Sequence, residues 1–106
     1  MRTRGSLLLI GACLATAALA ADVATGRAKA VACAACHGPL GLSVTPDAPN
    51  LAGQPPLYVT TQLKAYRDGT RKHEVMTLMA KPLSDADIDA LAAWFGSLKV
   101  QVQPVP

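Results

Sequence analysis

Cys33, Cys36 and His37 stand together as Cys33-Ala34-Ala35-Cys36-His37. Two thiols separated by two residues, with an imidazole directly after the second, form the arrangement that covalent haem attachment requires. Each thiol adds to one vinyl group of the porphyrin, and the two thioethers fix the macrocycle along one edge. The histidine that follows is then placed against the iron as an axial ligand. Other uses of a CxxC pair fit less well. A thioredoxin-like dithiol sits within a βαβ unit, and no stretch of this chain reads as one. A zinc site takes four ligands, whereas beyond residue 20 the chain offers two cysteines and two histidines, with His73 far from His37 in sequence.

An iron held by one histidine has a sixth position to account for. It can stay open, take a second histidine, or take methionine, whose thioether favours the ferrous state and raises the reduction potential. Apart from Met1, the chain carries only Met76 and Met79. Both fall in one segment about forty residues beyond His37, far enough to reach the opposite face of a haem. Methionine in a core is often gap filler. Here, though, the two copies coincide with the segment where a ligand is expected, which favours methionine over His73 or an open site. Residue type and spacing alone do not rank Met76 against Met79.

At 106 residues the chain is one small domain. Arg2 and Arg4, the apolar run Ser6 to Ala20, and the small-x-small triplet Ala18-Leu19-Ala20 read as a cleaved secretory signal over residues 1–20. The mature domain is then 21–106, exported to the periplasm, with no stable membrane span. A minor alternative is a lipid on Cys13, since Ile10-Gly11-Ala12-Cys13 resembles a lipoprotein site, although the segment before it is short for that route. The full chain has ten Lys and Arg against seven Asp and Glu, and loss of Arg2 and Arg4 narrows the margin from three to one. A nucleic-acid partner therefore has no charge to rest on. So short a mature chain is marginal for an apolar core of its own, and a covalent haem supplies what is missing.

The elements that must position these groups are helical. Val23, Ala24, Arg27, Ala28 and Val31 recur at helical spacing, so a helix over 22–34 runs into the motif, with Gly26 its one poor former. From Gly38 to Pro56, glycines and prolines end the pattern, and the resulting loop is expected to cover the histidine side of the haem. A second helix spans 57–69, stopped by Gly69. Tyr58 and Tyr66 on it are core residues or donors to a haem propionate. Residues 71–82 are expected to be a loop carrying Met76 and Met79. The last helix starts at the N-cap Ser84, with Asp87 in its first turn, and runs to about Leu98. Its stripe of Ile88, Leu91, Ala92, Phe95 and Leu98 is core. Residues 100–106 read as a disordered tail.

With these residues in view, the chain resembles the class I c-type cytochromes, and most of all the cytochrome c4 and c553 group. The likeness is carried by Cys33-Ala34-Ala35-Cys36-His37-Gly38, Pro49-Asn50-Leu51-Ala52-Gly53-Gln54 and Tyr58 with Gln62-Leu63. It continues through Tyr66-Arg67-Asp68-Gly69-Thr70-Arg71, Val75-Met76-Thr77-Leu78-Met79, Pro82-Leu83-Ser84-Asp85 and Ala92-Ala93-Trp94-Phe95. It implies an all-α cytochrome c fold of three to five short helices around one haem c, with iron ligands on opposite faces. It makes Met76 the iron ligand, with Met79 packed beside the haem as the fallback. It also matches Pro46 to a proline whose carbonyl orients the ligand histidine. Two departures stand out: cytochrome c4 carries two such domains where this chain has one motif, and Trp94 replaces a usual tyrosine.

The expected function is one-electron transfer between redox proteins such as a dehydrogenase, an oxidase or a cytochrome complex, with no catalytic residues. The alternatives are a cytochrome subunit bound tightly to a dehydrogenase or oxidase, and an open-site peroxidase or gas sensor. Lys64, Arg67, Arg71, Lys72 and Lys81 form either ordinary surface or a basic rim that steers acidic partners.

Overall fold

The computed structural model describes residues 22–106, so residues 1–20 with the signal reading, and Cys13, lie outside the described residues. Among the described residues every regular element is helical and there is no strand, as expected of an all-α fold. Helix α1 covers 22–29. The chain then tightens into a 3₁₀ turn at Ala30–Cys33 and reopens as a single α turn, α2, at Ala34–His37. The helix expected over 22–34 is thus helical throughout but broken in pitch. Its last carbonyls take i→i+3 partners, Ala34 N–H donating to Val31 O, which is how helix ends commonly satisfy orphan groups. Gly38 closes α2 with a φ of +79°, and a Cβ there would lie 1.9 Å from Leu42 O. Only glycine lets the chain leave the motif in this direction.

After the loop 38–55 comes α3 at Pro56–Asp68, with proline at its first position and Gly69 left-handed at φ 82° just past its end. Helix α4 follows at Glu74–Ala80, where the sequence reading placed a loop. It is short, and no residue of the usual capping set precedes it. His73 takes that role instead, its Nδ1 accepting from the backbone N–H groups of Val75 and Met76. Helix α5 is Asp85–Ser97, one residue shorter than expected. Ser84 Oγ accepts from Asp87 N–H at 3.1 Å, while Ser84 N–H donates to Asp87 Oδ2 at 3.0 Å, closing a capping box. Of its expected core stripe, Ile88, Leu91, Ala92 and Phe95 are buried and Leu98 is half-buried. Residues 99–106 are irregular and exposed.

The core gathers Ala30, Leu91, Trp94 and Phe95, with Val23, Cys33, Leu51 and Leu63 packed against it. It forms where α1 crosses α5. Gly26 meets α5 so closely that a Cβ would sit 1.9 Å from Ala90 O and 2.8 Å from Trp94 Cβ. The poor helix former is therefore the residue that permits the crossing. Trp94 is buried with its Nε1 unpartnered among the described residues. The Arg27 guanidinium lies 5.6 Å from its ring centroid. A guanidinium over the face of a buried indole is attracted by the ring quadrupole, which ties α1 to α5 at this point.

Two ion pairs tie other elements to α5. Lys29 Nζ lies 2.7 Å from Asp87 Oδ1, linking the end of α1 to the capping box. Arg67 Nη2 lies 2.7 Å from Asp85 Oδ1, while its Nη1 donates to Leu83 O at 3.0 Å. The Lys29 hydrogen bond, with the Ser84 N–H, holds the Asp87 carboxyl below its ordinary value. The Arg67 hydrogen bond, helped by the charges of Lys64 and Arg67, does the same for Asp85.

Two outcomes follow from this frame. Gly26→Ala is expected to destabilise the protein by about 1–3 kcal/mol, the usual cost of overpacking, read as a lowered denaturant midpoint of the holoprotein. Because Asp85 and Asp87 titrate lower folded than unfolded, their contribution is complete above the ordinary aspartate range of ~3.9. It is lost as pH falls through that range towards the lowered folded values. Asp87→Asn should accordingly flatten the acid limb of a stability–pH curve; a limb as steep as that of the parent protein would show that the pair contributes nothing.

Candidate haem-binding site

Cys36 and His37 sit at the end of the α1–α2 segment, which the α1–α5 crossing and the glycine exit at Gly38 hold in place. Together with Met76 they line a cavity of about 280 Å³ between the loop 38–55, α3 and α4. His37 is buried, at 7% exposure. Its Nδ1 donates to Pro49 O at 2.8 Å. A carbonyl oxygen only accepts, so Nδ1 carries the proton and Nε2 of the neutral ring keeps its lone pair. That is the state a metal-ligating histidine needs, held from behind by a backbone acceptor.

The carbonyl belongs to Pro49, not to Pro46 as the resemblance implied. Pro46 lies in the exposed turn, and the loop must travel further before it doubles back behind the ring. Backbone bonds hold that path: Val44 N–H donates to Cys36 O at 3.1 Å, and Leu51 N–H to Gly41 O at 2.7 Å. Ser43 N–H adds a bond to Asn50 Oδ1 at 2.7 Å. The loop thus lies on the histidine side, as expected.

Cys33 and Cys36 are not joined in a disulfide. Cys36 is exposed at the cavity, whereas Cys33 is half-buried against the core, and burial pushes its thiol pKa up. Across the cavity, α4 contributes Met76 and Val75. Met79, one turn further on, is 38% exposed and is not among the lining residues. His73 lines the cavity too, but its Nδ1 is taken up by the cap of α4. Val59, Leu63 and Leu51 supply apolar wall, and Tyr58 and Tyr66 both reach the cavity, Tyr66 buried and Tyr58 exposed. Arg71 stacks over the Tyr66 ring at 4.6 Å and donates to Gln62 Oε1 at 2.5 Å. Two of the five basic residues considered for a rim, Arg67 and Arg71, are therefore tied into the fold. Lys64, Lys72 and Lys81 remain for it.

These groups fit a covalent haem. A soft thioether and an imidazole with a free Nε2 line one cavity, two thiols stand at attachment spacing, and the wall between is apolar. Fold and site together define a small all-α haem protein. The family model for cytochrome c matches residues 23–99. Cytochrome c-554(548) of Halomonas halodenitrificans is 47% identical over 81 residues, covering 74% of this chain and 98% of that protein. The thiosulfate dehydrogenase electron acceptor of Thiomonas intermedia is 43% identical over 88 residues, covering 81% of this chain and 40% of that one. The crystal structure of reduced recombinant cytochrome c4 from Pseudomonas stutzeri superposes with a TM-score of 0.70 at 39% identity, over 76% of this chain and 47% of that chain. The chain therefore spans about half the length of the cytochrome c4 it matches.

The chain belongs to the cytochrome c family, as a class I c-type cytochrome of the c4 group. Proteins of this group carry covalent haem c with its iron, and they are electron carriers rather than enzymes.

Among the described residues, the ten buried hydrophobic residues of the core include four alanines and lie mostly on α5, which leaves the cavity wall without a filling of its own. Expressed without haem attachment, the chain should lose most of its helical circular dichroism and its cooperative unfolding. A native-like melt of the haem-free chain would show that the polypeptide core is sufficient.

Proposed function

We propose that this protein is a periplasmic one-electron carrier whose haem c is bound through Cys33 and Cys36, with His37 and Met76 as the axial iron ligands. The observation that carries the reading is the pairing in one cavity of His37, its Nδ1 committed to Pro49 O, with Met76 from α4. When bound, the haem supplies a one-electron change between ferric and ferrous iron. The polypeptide does the rest. The Pro49 carbonyl fixes the tautomer and orientation of His37 and raises its basicity as a ligand. Val59, Leu63 and Leu51 exclude water on the interior side, and burial together with a thioether ligand favours the reduced state. His37 and Met76 come from separate elements, α2 and α4, so each would be held by its own part of the frame when it ligates the iron, and little of the polypeptide would have to move on electron transfer. Met79, further along α4 and partly exposed, stays outside this set.

Residues 1–20 are the export signal in this reading, and 21–106 the mature domain. Among the described residues no helix is long and apolar enough to cross a membrane. The partners are redox proteins. A dehydrogenase as donor is supported by the relative named a thiosulfate dehydrogenase electron acceptor. A chain held permanently on such an enzyme would show the same ligands and differ only in co-purifying with it.

The ligand set is tested on protein matured with haem. The ferric form is expected to show the far-red sulfur-to-iron band. Met76→Leu should abolish that band, lower the reduction potential and open the ferrous iron to carbon monoxide, while Met79→Leu retains all three parental properties. Loss of the band on changing Met79 but not Met76 would assign the ligand to the wrong methionine, and absence of the band in the parent would remove methionine altogether.

A further inference from the structure

Helix α4 has little to hold it. It is seven residues long, below the length at which helices persist in water unaided. Its only buried residue is Ala80, while Val75 and Leu78 are 49% and 70% exposed. No basic side chain stands in its last turn. What it does have is an unusual first turn. His73 Nδ1 accepts from Val75 N–H at 3.2 Å and from Met76 N–H at 3.3 Å. His73 N–H in turn donates to Thr77 Oγ1 at 3.1 Å, and Thr77 N–H to His73 O at 2.9 Å. The cap is thus clasped on both sides, and one of its hydrogen bonds ends on the backbone of Met76 itself.

We propose that His73 is a positioning residue for Met76, capping α4 through Nδ1 so that the thioether is presented to the cavity and His73 is withheld as a rival iron ligand. The inference rests on the assignment of Met76 above. The second half follows from the tautomer. A ring nitrogen that accepts from two N–H groups must offer its lone pair to them, so in the neutral ring the proton sits on Nε2. Nε2–H is a donor and cannot bind a metal. His73 lines the same cavity as Met76; were the cap released, it would become a competing imidazole at the sixth position. One interaction thereby favours the thioether and disfavours its nearest competitor.

Asparagine separates these ideas from a general loss of structure. It is a strong N-cap acceptor and carries no imidazole. In haem-loaded protein, His73→Ala is expected to weaken the far-red band and to speed displacement of the ferrous thioether by carbon monoxide about fivefold, the ratio that loss of a good N-cap costs a helix. His73→Asn is expected to restore both to near the parental values. An alanine variant equal to the parent in band, potential and carbon monoxide rate would overturn the proposal, and so would an asparagine variant as impaired as alanine. Met76→Leu is read alongside. If it keeps the band, the ligand assignment itself has failed; if it loses the band while His73→Ala is silent, the assignment stands and the positioning role does not.

Discussion

The helical frame depends on the absence of one methyl group. With a Cβ at position 26, α1 would collide with the backbone of α5 at Ala90, 1.9 Å away, before its own side chains could pack. With only hydrogen there, Ala30 reaches Leu91, Trp94 and Phe95, and the 3₁₀ turn that follows carries Cys33 down onto the same cluster. The motif is therefore an extension of the core rather than a loop resting on it. Lys29 adds a second tie from this segment to the first turn of α5 through Asp87, so helix entry and capping box share one carboxylate.

From that anchor the two sides of the cavity are built differently. The histidine side is over-determined. Its ring is buried, and its Nδ1 proton is committed to a carbonyl held by a loop that is itself hydrogen-bonded back to Cys36 and Gly41. Each of these bonds is individually modest, about 0.5–1.5 kcal/mol net, but they constrain one another, since the carbonyl cannot move without breaking the loop. The methionine side rests on a two-turn helix whose outward residues are largely in solvent.

What could be read before the fold was known follows from where the information resides. The attachment motif is legible because covalent chemistry dictates residue type and spacing together. Helix α5 is legible because a buried face imposes a 3.6-residue period and because Ser84 and Asp87 are the residue types that caps select. Helix α4 reads as a loop in sequence because it buries almost nothing, so no period is imposed on it, and its cap is a histidine, a type that capping preferences do not mark. The resemblance points to Pro46 for the acceptor behind His37, whereas the structure has Pro49, because a carbonyl belongs to every residue and only the path of the loop selects which one arrives. Gly26 stood out in sequence as a flaw in a helix, and its use becomes visible only when α5 lies against it.

This asymmetry bears on how such a site would respond to stress. Under the proposed ligation, the two iron ligands come from elements of very different local stability, and opening motions are drawn from the least buried parts of a structure. Freeing His37 means lifting a buried ring off Pro49 and disturbing the core beneath Cys33. Freeing Met76 requires only that a short, exposed helix unwind by a turn. The same feature that makes α4 hard to find in sequence, its lack of buried surface, makes it the side from which the iron would first become accessible. A local device at its start, such as the His73 cap, can then matter more than its small energy suggests, because almost nothing else in α4 opposes the unwinding.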